Sequence, residues 1–271
     1  MEEGHAPAGR YGPDEARRYE HDHPEQMAAA PATVAALADL AALARARGLE
    51  AGLPPPGSRR VLELGVGTGR LAVPLAGTGL EVWGIDDAEA MVEVLRAKPG
   101  AEAVGVVVGD LANVATLAEG EFAMVFVAES TLFELGDQDA QVACFAGVAA
   151  HLAPGGLFVV EAHAPDVTRL EESVAVTALG PRGVTLQATR HDPATQVVAG
   201  TDVVLSAQGM VLRPWSIRYA TPAELDLMAR LAGLARRDRW ASWQGHPFTA
   251  TSPRHVSVYE RATPPGSGRP R

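Results

Sequence analysis

Between Glu63 and Arg70 the chain reads Glu-Leu-Gly-Val-Gly-Thr-Gly-Arg, with glycines at the alternate positions Gly65, Gly67 and Gly69. Glycines so placed permit a tight turn and let backbone N–H groups approach a ligand with no Cβ in the way. Arg70 stands where a dinucleotide fingerprint needs its third glycine, and no Gly-Lys-Ser/Thr follows to cradle a phosphate. By itself such a loop is equally a plain strand-to-helix turn. Three later apolar runs end in Asp86-Asp87, Gly109-Asp110-Leu111 and Glu129-Ser130. A carboxylate about twenty residues beyond a glycine turn can accept both hydroxyls of a ribose. With Glu63, acidic groups close four successive runs, and that clustering is costly unless a cation or several donors compensate it. A nucleoside with a positive centre would do so.

Proton-transfer candidates are His21 and His23 in an N-terminal segment, Glu129, His163 just after the fifth apolar run, and His191. His163 leads by chain position, although each histidine also reads as a hydrogen-bonded structural residue. His246 and His255 fall near the last turn and strand, where structural roles dominate. No His/Asp pair has ligand spacing on one helix, so no metal is expected. The single Cys144 lies in an apolar helical pattern and reads as core, which removes disulfide and zinc-cluster chemistry. Lys98 is the one lysine, so it alone could form a Schiff base.

The elements that must position these groups alternate. Short apolar runs at 61–64, 81–85, 104–108, 122–127 and 157–162 are separated by helical patterns at 71–75, 88–98 and 138–151. Strands apolar on both faces, interleaved with helices, predict an α/β doubly wound parallel sheet whose ligand lies beyond the carboxyl ends of its strands. A helix over 33–47 precedes the first strand, and prolines at 54–56 break the chain between them. Between 165 and 220 the character changes. Runs at 174–179, 184–191, 196–205 and 211–219, rich in Val, Thr and Leu and broken at glycines and prolines, predict an antiparallel insertion. The resulting division is a helical lid segment at 1–52, a core at 53–164, the insertion at 165–220, a closing helix and strands at 221–262, and a disordered tail from 263.

The 271 residues are 47 % hydrophobic and 21 % charged, the composition of a globular protein, with a net charge of −10 that disfavours nucleic acid as a partner. No apolar run approaches the ~18 residues of a membrane span, and no secretory signal is evident, so no membrane and a cytoplasmic location are expected.

The stretches VLELGVGTGRLAVPLA, VWGIDDAEAMVEVLR, VVVGDLANV, FAMVFVAESTLFEL and LAPGGLFVVEA, in this order, resemble the class I S-adenosylmethionine-dependent methyltransferases, especially actinobacterial small-molecule enzymes. TPAELDLMARLAGL and SPRHVSVYER resemble the last helix and closing strand of that fold. The resemblance implies a seven-stranded Rossmann-like sheet, S-adenosylmethionine as cofactor, and methyl transfer to an O or N atom of a small molecule, such as a natural-product intermediate. A protein of the same fold that binds the cofactor without transferring its methyl is the alternative. Glu63, Gly65 and Gly67 would hold the methionine end, with Gly69 opening the next helix. Asp86 would bind the ribose, Met91 would pack near the adenine or in the core, and Gly109, Asp110 and Leu111 would flank the adenine amino group. Glu129 would face the transferred methyl, while Asp87 would contact cofactor or cap a helix. In related enzymes the segment at 11–27 folds over the cofactor. With little apolar content, its aromatic groups are expected to find a surface only once ligands bind. Tyr19, His21 and His23 there, with Trp215 and Tyr219 of the insertion, are the expected acceptor contacts. Trp240 and Trp243 line a pocket or fill the core. The insertion would cover the substrate or form a homodimer contact.

Overall fold

A computed structural model describes residues 11–50, 59–165, 172–181, 183–207 and 209–261. The expected proline break at 54–56 and the tail from 263 lie outside them. Two helices lead, α1 (Pro13–Asp22) and α2 (Pro24–Glu50). Pro24 disfavours helical backbone at His23 and so divides them. The expected helix over 33–47 begins earlier, at Pro24, and runs through Pro31, because the alanine-rich stretch before residue 33 carries no apolar spacing to mark it yet is helical. Pro24–Arg47 is also long and apolar enough to cross a membrane by length and composition, contrary to the sequence expectation. Its Val34, Leu37, Leu40, Ala41 and Ala44 are buried with Met124, Phe126 and Val159, so this face belongs to the core.

The sheet is built from β1 (Arg60–Leu64), β2 (Glu81–Asp86), β3 (Val104–Val108), β4 (Phe122–Val127) and β5 (Leu152–His163). It is crossed by α3 (Ala72–Ala76), α4 (Glu89–Arg96), α5 (Val114–Leu117) and α6 (Gln138–His151). An antiparallel sheet of β6 (Ser173–Gly180), β7 (Gly183–Asp192), β8 (Val197–Ser206) and β9 (Gly209–Arg218) follows, then α7 (Pro222–Leu231), β10 (Leu234–Trp240) and β11 (Arg254–Arg261). The seven-stranded order is β10-β11-β5-β4-β1-β2-β3, with β1 through β5 parallel and β11 antiparallel to both neighbours. The chain reverses direction across the sheet at β1, between β2 and β4, and that switch point opens a crevice. β10 carries Arg236, Arg237, Asp238 and Arg239 in a row, a charged run that hides it as a strand and suits the sheet's edge.

The insertion is fastened to the core by Arg218, 4 % exposed, which donates to Gln141 at 2.6 Å, Gln196 at 2.9 Å and Glu224 at 2.7 Å. A buried guanidinium requires such full compensation. β9 also rests on the 3-10 turn Thr131–Glu134 after β4, which sets the inserted sheet beside the crevice.

Candidate active site

The glycine loop leaves β1 with Gly65, Gly67 and Gly69 at φ +73°, +51° and +75°, backbone that L side chains rarely adopt. A Cβ at Gly65 would lie 2.4 Å from Thr131 Cγ2. The loop therefore passes directly under the turn that follows β4. Between them lies a cleft, part of it open to solvent. Its walls come from the β1 loop, the end of β2, the start of α4, the loop after β4 and the helix α1.

Five carboxylates line it: Glu63, Asp86, Asp87, Glu129 and Glu134. Glu63 is 4 % exposed, and its Oε2 is buried with no hydrogen-bond partner among the described residues. Burial pushes its carboxyl well above the usual range; nearby Asp86 adds to this and Arg70 opposes it. Asp86 is raised by burial too, against N–H groups donated by Ala88 at 2.9 Å and Gly67 at 2.7 Å, one to each carboxylate oxygen. Those bonds leave each oxygen a further lone pair for a ribose hydroxyl. Glu134 sits at the solvent-exposed rim of the cleft; partial desolvation of its carboxyl by the cleft wall, then Asp86 and Asp87, push it up to about 7. The expected helix cap at Asp87 is not found: Ala88 holds that position in α4, and Asp86 accepts its N–H.

An orphaned buried carboxylate oxygen beside an unobstructed glycine loop, within a cluster of acids, fits a ligand that brings an ammonium and a sulfonium. S-adenosylmethionine is such a ligand. Glu63 and the Gly65–Gly67 backbone would take its amino-acid end, Asp86 its ribose, and Met91, in the cleft wall 3.4 Å from a Cβ built on Gly67, an apolar face.

The lid region is already built. Ala16 is buried with Ala88 and Met91, with Tyr11 and Tyr19 packed against them, so these rings have a surface of their own, contrary to expectation. The low apolar content of the segment misleads because Ala16 and Tyr19 of α1, with Tyr11 just before it, suffice to seat it. Glu20 accepts from Thr68 at 2.7 Å and pairs with Lys98, whose only candidate role in the sequence was a Schiff base. Tyr11 and Tyr19 line the cleft, and burial raises both phenols, so both stay protonated.

Other expected contacts lie elsewhere. His21 is exposed and outside the cleft wall, while His23 ends α1, with Nδ1 2.7 Å from Tyr19 O. Trp215 packs on Gly200 with Nε1 3.3 Å from Asp202, and Tyr219 is buried with its hydroxyl 3.0 Å from His191. All four fall outside the cleft, as do Trp240 and Trp243, which pack on the core beside α2. Gly109, Asp110 and Leu111 follow β3 beside Asp86, but none lines the cleft. Asp110 accepts from Ala112 N at 2.8 Å, capping its own turn.

His163 is also outside the wall, and both its ring nitrogens are engaged, with Ser130 Oγ at 2.7 Å and Arg254 at 3.3 Å. The residue is exposed overall, but partial desolvation of its ring and then Arg254 hold its pKa below the ordinary value, with Glu129 opposing. It is therefore poorly placed as the base expected from its chain position. Glu129 does line the cleft, its oxygens shared between Arg70 at 3.4 Å and Arg254 at 3.2 Å.

Arg70, Thr131 and Glu134 are lining residues that sequence reasoning missed. Arg70 was visible only as a break in the glycine fingerprint. Thr131 and Glu134 lie in the 3-10 turn past Ser130, beyond the acids that close the apolar run.

Comparison with known proteins places these features in context. The profile of a methyltransferase domain matches residues 61–156. The cypemycin N-terminal methyltransferase of a Streptomyces species is 31 % identical over 211 residues, 76 % of this chain and 85 % of that protein. The solved CcbJ methyltransferase of Streptomyces caelestis is 40 % identical, with a TM-score of 0.75 over 86 % of this chain and 90 % of its own. An amino pentose methyltransferase of Micromonospora echinaspora, solved with S-adenosylmethionine bound, shares the fold at 23 % identity and a TM-score of 0.59, covering 83 % of this chain and 91 % of that one.

Proposed function

The chain belongs to the S-adenosylmethionine-dependent methyltransferases, and from that premise we propose that it methylates an amine nitrogen of a small natural-product-like acceptor. The observation that carries this reading is the five-carboxylate cleft, which attracts a cation and a protonatable amine together. When bound, S-adenosylmethionine supplies a methyl on a sulfonium, displaced in line by the nucleophile. The protein's part is to align the partners and keep water out. Glu63 and Asp86 hold the cofactor ends. Glu129, at the end of β4, accepts an N–H of the amine and turns its lone pair toward the methyl. An amine that enters as its ammonium first gives up one proton to solvent. The neutral amine then attacks through that lone pair and the methylated ammonium sheds its proton afterwards, whereas a hydroxyl must lose its proton to a base as it attacks. His163, beside Glu129 through Arg254, has no free ring nitrogen. The cypemycin enzyme, by its name an N-terminal methyltransferase, also favours an amine.

Glu134 supports a second reading. With a pKa near 7 it could take a proton from a hydroxyl, giving O-methylation. Incubation with methyl-labelled S-adenosylmethionine and matched pairs of acceptors, amino sugars and free N-terminal peptides against their hydroxyl analogues, separates the two by mass spectrometry. Label on the amines alone supports the first reading. Label on the hydroxyl analogues, lost in Glu134→Gln, supports the second and contradicts the first.

We also propose that two copies pair through β6, the edge of the inserted sheet. All eight of its residues are exposed, Val174, Val176 and Leu179 at 72 %, 59 % and 83 %. An unpaired apolar edge is a ready template for a second strand. Light scattering should show a dimer that Val176→Lys converts to monomer; a monomeric wild type would remove the proposal.

A further inference from the structure

β11 pairs with β5 in a register that sets Arg254 opposite His163, and the guanidinium sits behind the cleft among three groups. Nη1 donates to Glu161 Oε1 at 3.1 Å and to Glu129 Oε2 at 3.2 Å. Nη2 donates to Glu129 Oε2 at 3.3 Å and to His163 Nε2 at 3.3 Å. A guanidinium has no lone pair to offer, so His163 must accept at Nε2 and carry its proton on Nδ1. That Nδ1–H meets Ser130 Oγ at 2.7 Å, and the same oxygen accepts the backbone N–H of His163 at 2.9 Å. Glu161 in turn accepts the backbone N–H of Glu129 at 3.0 Å.

These contacts surround an unusual piece of backbone. Glu129 and Ser130 have φ of +53° and +65°, two consecutive non-glycine residues in the left-handed region. Such residues persist where their surroundings over-determine them. Here the Glu129 backbone is held by Glu161, the Ser130 side chain by His163, and the Glu129 carboxylate by Arg70 from the β1 loop and Arg254 from β11. Arg254 is the donor common to Glu161, His163 and Glu129, and it lies outside the cleft that Glu129 lines.

We propose that Arg254 is a positioning residue for methyl transfer: it fixes the Glu129 carboxylate at the acceptor end of the cleft and fixes His163 in the Nδ1–H tautomer that braces Ser130. The assignment rests on the reading that Glu129 meets the acceptor. In sequence, Arg254 is 125 residues from Glu129 and lies in a strand otherwise read only as a closing element.

The test uses the full chain and two readouts. Ring-nitrogen NMR of His163, assigned by loss of its signal in His163→Gln, should show the Nδ1–H tautomer and a titration midpoint below the free value. In Arg254→Gln the midpoint should rise and the tautomer preference should fade. With the panel amine that the wild type methylates, Arg254→Gln should lose tenfold or more in kcat/KM for the amine while the Kd for S-adenosylmethionine moves less than twofold. Arg254→Lys should restore part of the rate, and in a Glu129→Gln background Arg254→Gln should cost less than twofold more. An unchanged His163 tautomer, additive losses, or an equal loss of cofactor affinity would overturn the assignment. If Arg254→Gln does not fold, Arg254→Lys carries the same comparison, since one ammonium cannot span three partners and the tautomer preference should still fade. A wild type that methylates none of the amines defeats the functional reading, and the NMR readout still decides whether Arg254 braces Ser130 through His163.

Discussion

Glu63, buried, and Glu134, at the rim beside Asp86 and Asp87, share a consequence of their setting: it favours the protonated carboxyl in each, and a bound cation favours the carboxylate. Binding S-adenosylmethionine should therefore release protons, and its affinity should rise with pH as Glu134 ionises through about 7. Calorimetry at pH 6.5 in buffers of different ionisation enthalpy measures the release, and Glu134→Gln should reduce it. A buffer-independent enthalpy, or tighter binding at lower pH, would contradict the assignment. At this scale the sequence was legible where residue type and strand-end position coincide. Glu63, Asp86 and Glu129 are acids that close apolar runs, and all three line the cleft. The histidines and late aromatic residues misled because polarity and chain order say nothing of direction. His191 and Tyr219 satisfy one another, and His163 is occupied by an arginine from the far end of the chain.

At the scale of elements, α1 is the part that the pattern understated. It supplies Tyr19 to the cleft, with Tyr11 just before its first turn, and is tied down on two sides. Glu20 reaches Thr68 and Lys98, while Glu15 and Asp22 lie 3.5 Å and 3.7 Å from Arg213 of β9. Deleting residues 1–22, which spares α2, should abolish turnover while the sheet still melts cooperatively. Full activity in the truncated protein would refute a lid. Arg213→Ala should raise hydrogen exchange in α1 several-fold with a small loss of stability, since partly exposed pairs contribute roughly 0–1 kcal/mol. The strands β1 to β9 were readable from apolar runs and turn residues. β10 was not, because its interior is a run of charges and its place at the edge makes that run tolerable.

For the whole molecule, the doubly wound topology places four acid-bearing strand ends along one edge, and α1, tied to β9 through Arg213, packs beside it. Stability at that scale depends on a residue outside the cleft. His255 is fully buried on β11, its Nδ1 2.9 Å from Ser257 Oγ, and burial holds its pKa at about 4. It is neutral in the fold and protonates more readily when unfolded. Its contribution is thus present above the unfolded value of about 6.5 and is lost as pH falls toward 4, on the order of 3 kcal/mol in all. Between pH 7 and 4.5 the melting temperature of His255→Gln should fall less than that of the wild type. Glu63 and Glu134 work in the opposite direction but are common to both proteins, so parallel slopes would contradict the role given to His255.

The central claim is that the acid-lined cleft beyond β1 and β2 is the cofactor site, and calorimetric titration of S-adenosylmethionine into three proteins tests it most directly. The wild type should bind it. Asp86→Ala should lose at least tenfold, because two charge-assisted bonds to a ribose are worth about 1.5–3 kcal/mol each. Glu63→Gln, nearly isosteric, should weaken binding as well by removing the buried charge that meets the ammonium. Correctly folded variants that both bind S-adenosylmethionine as tightly as the wild type would place the cofactor elsewhere.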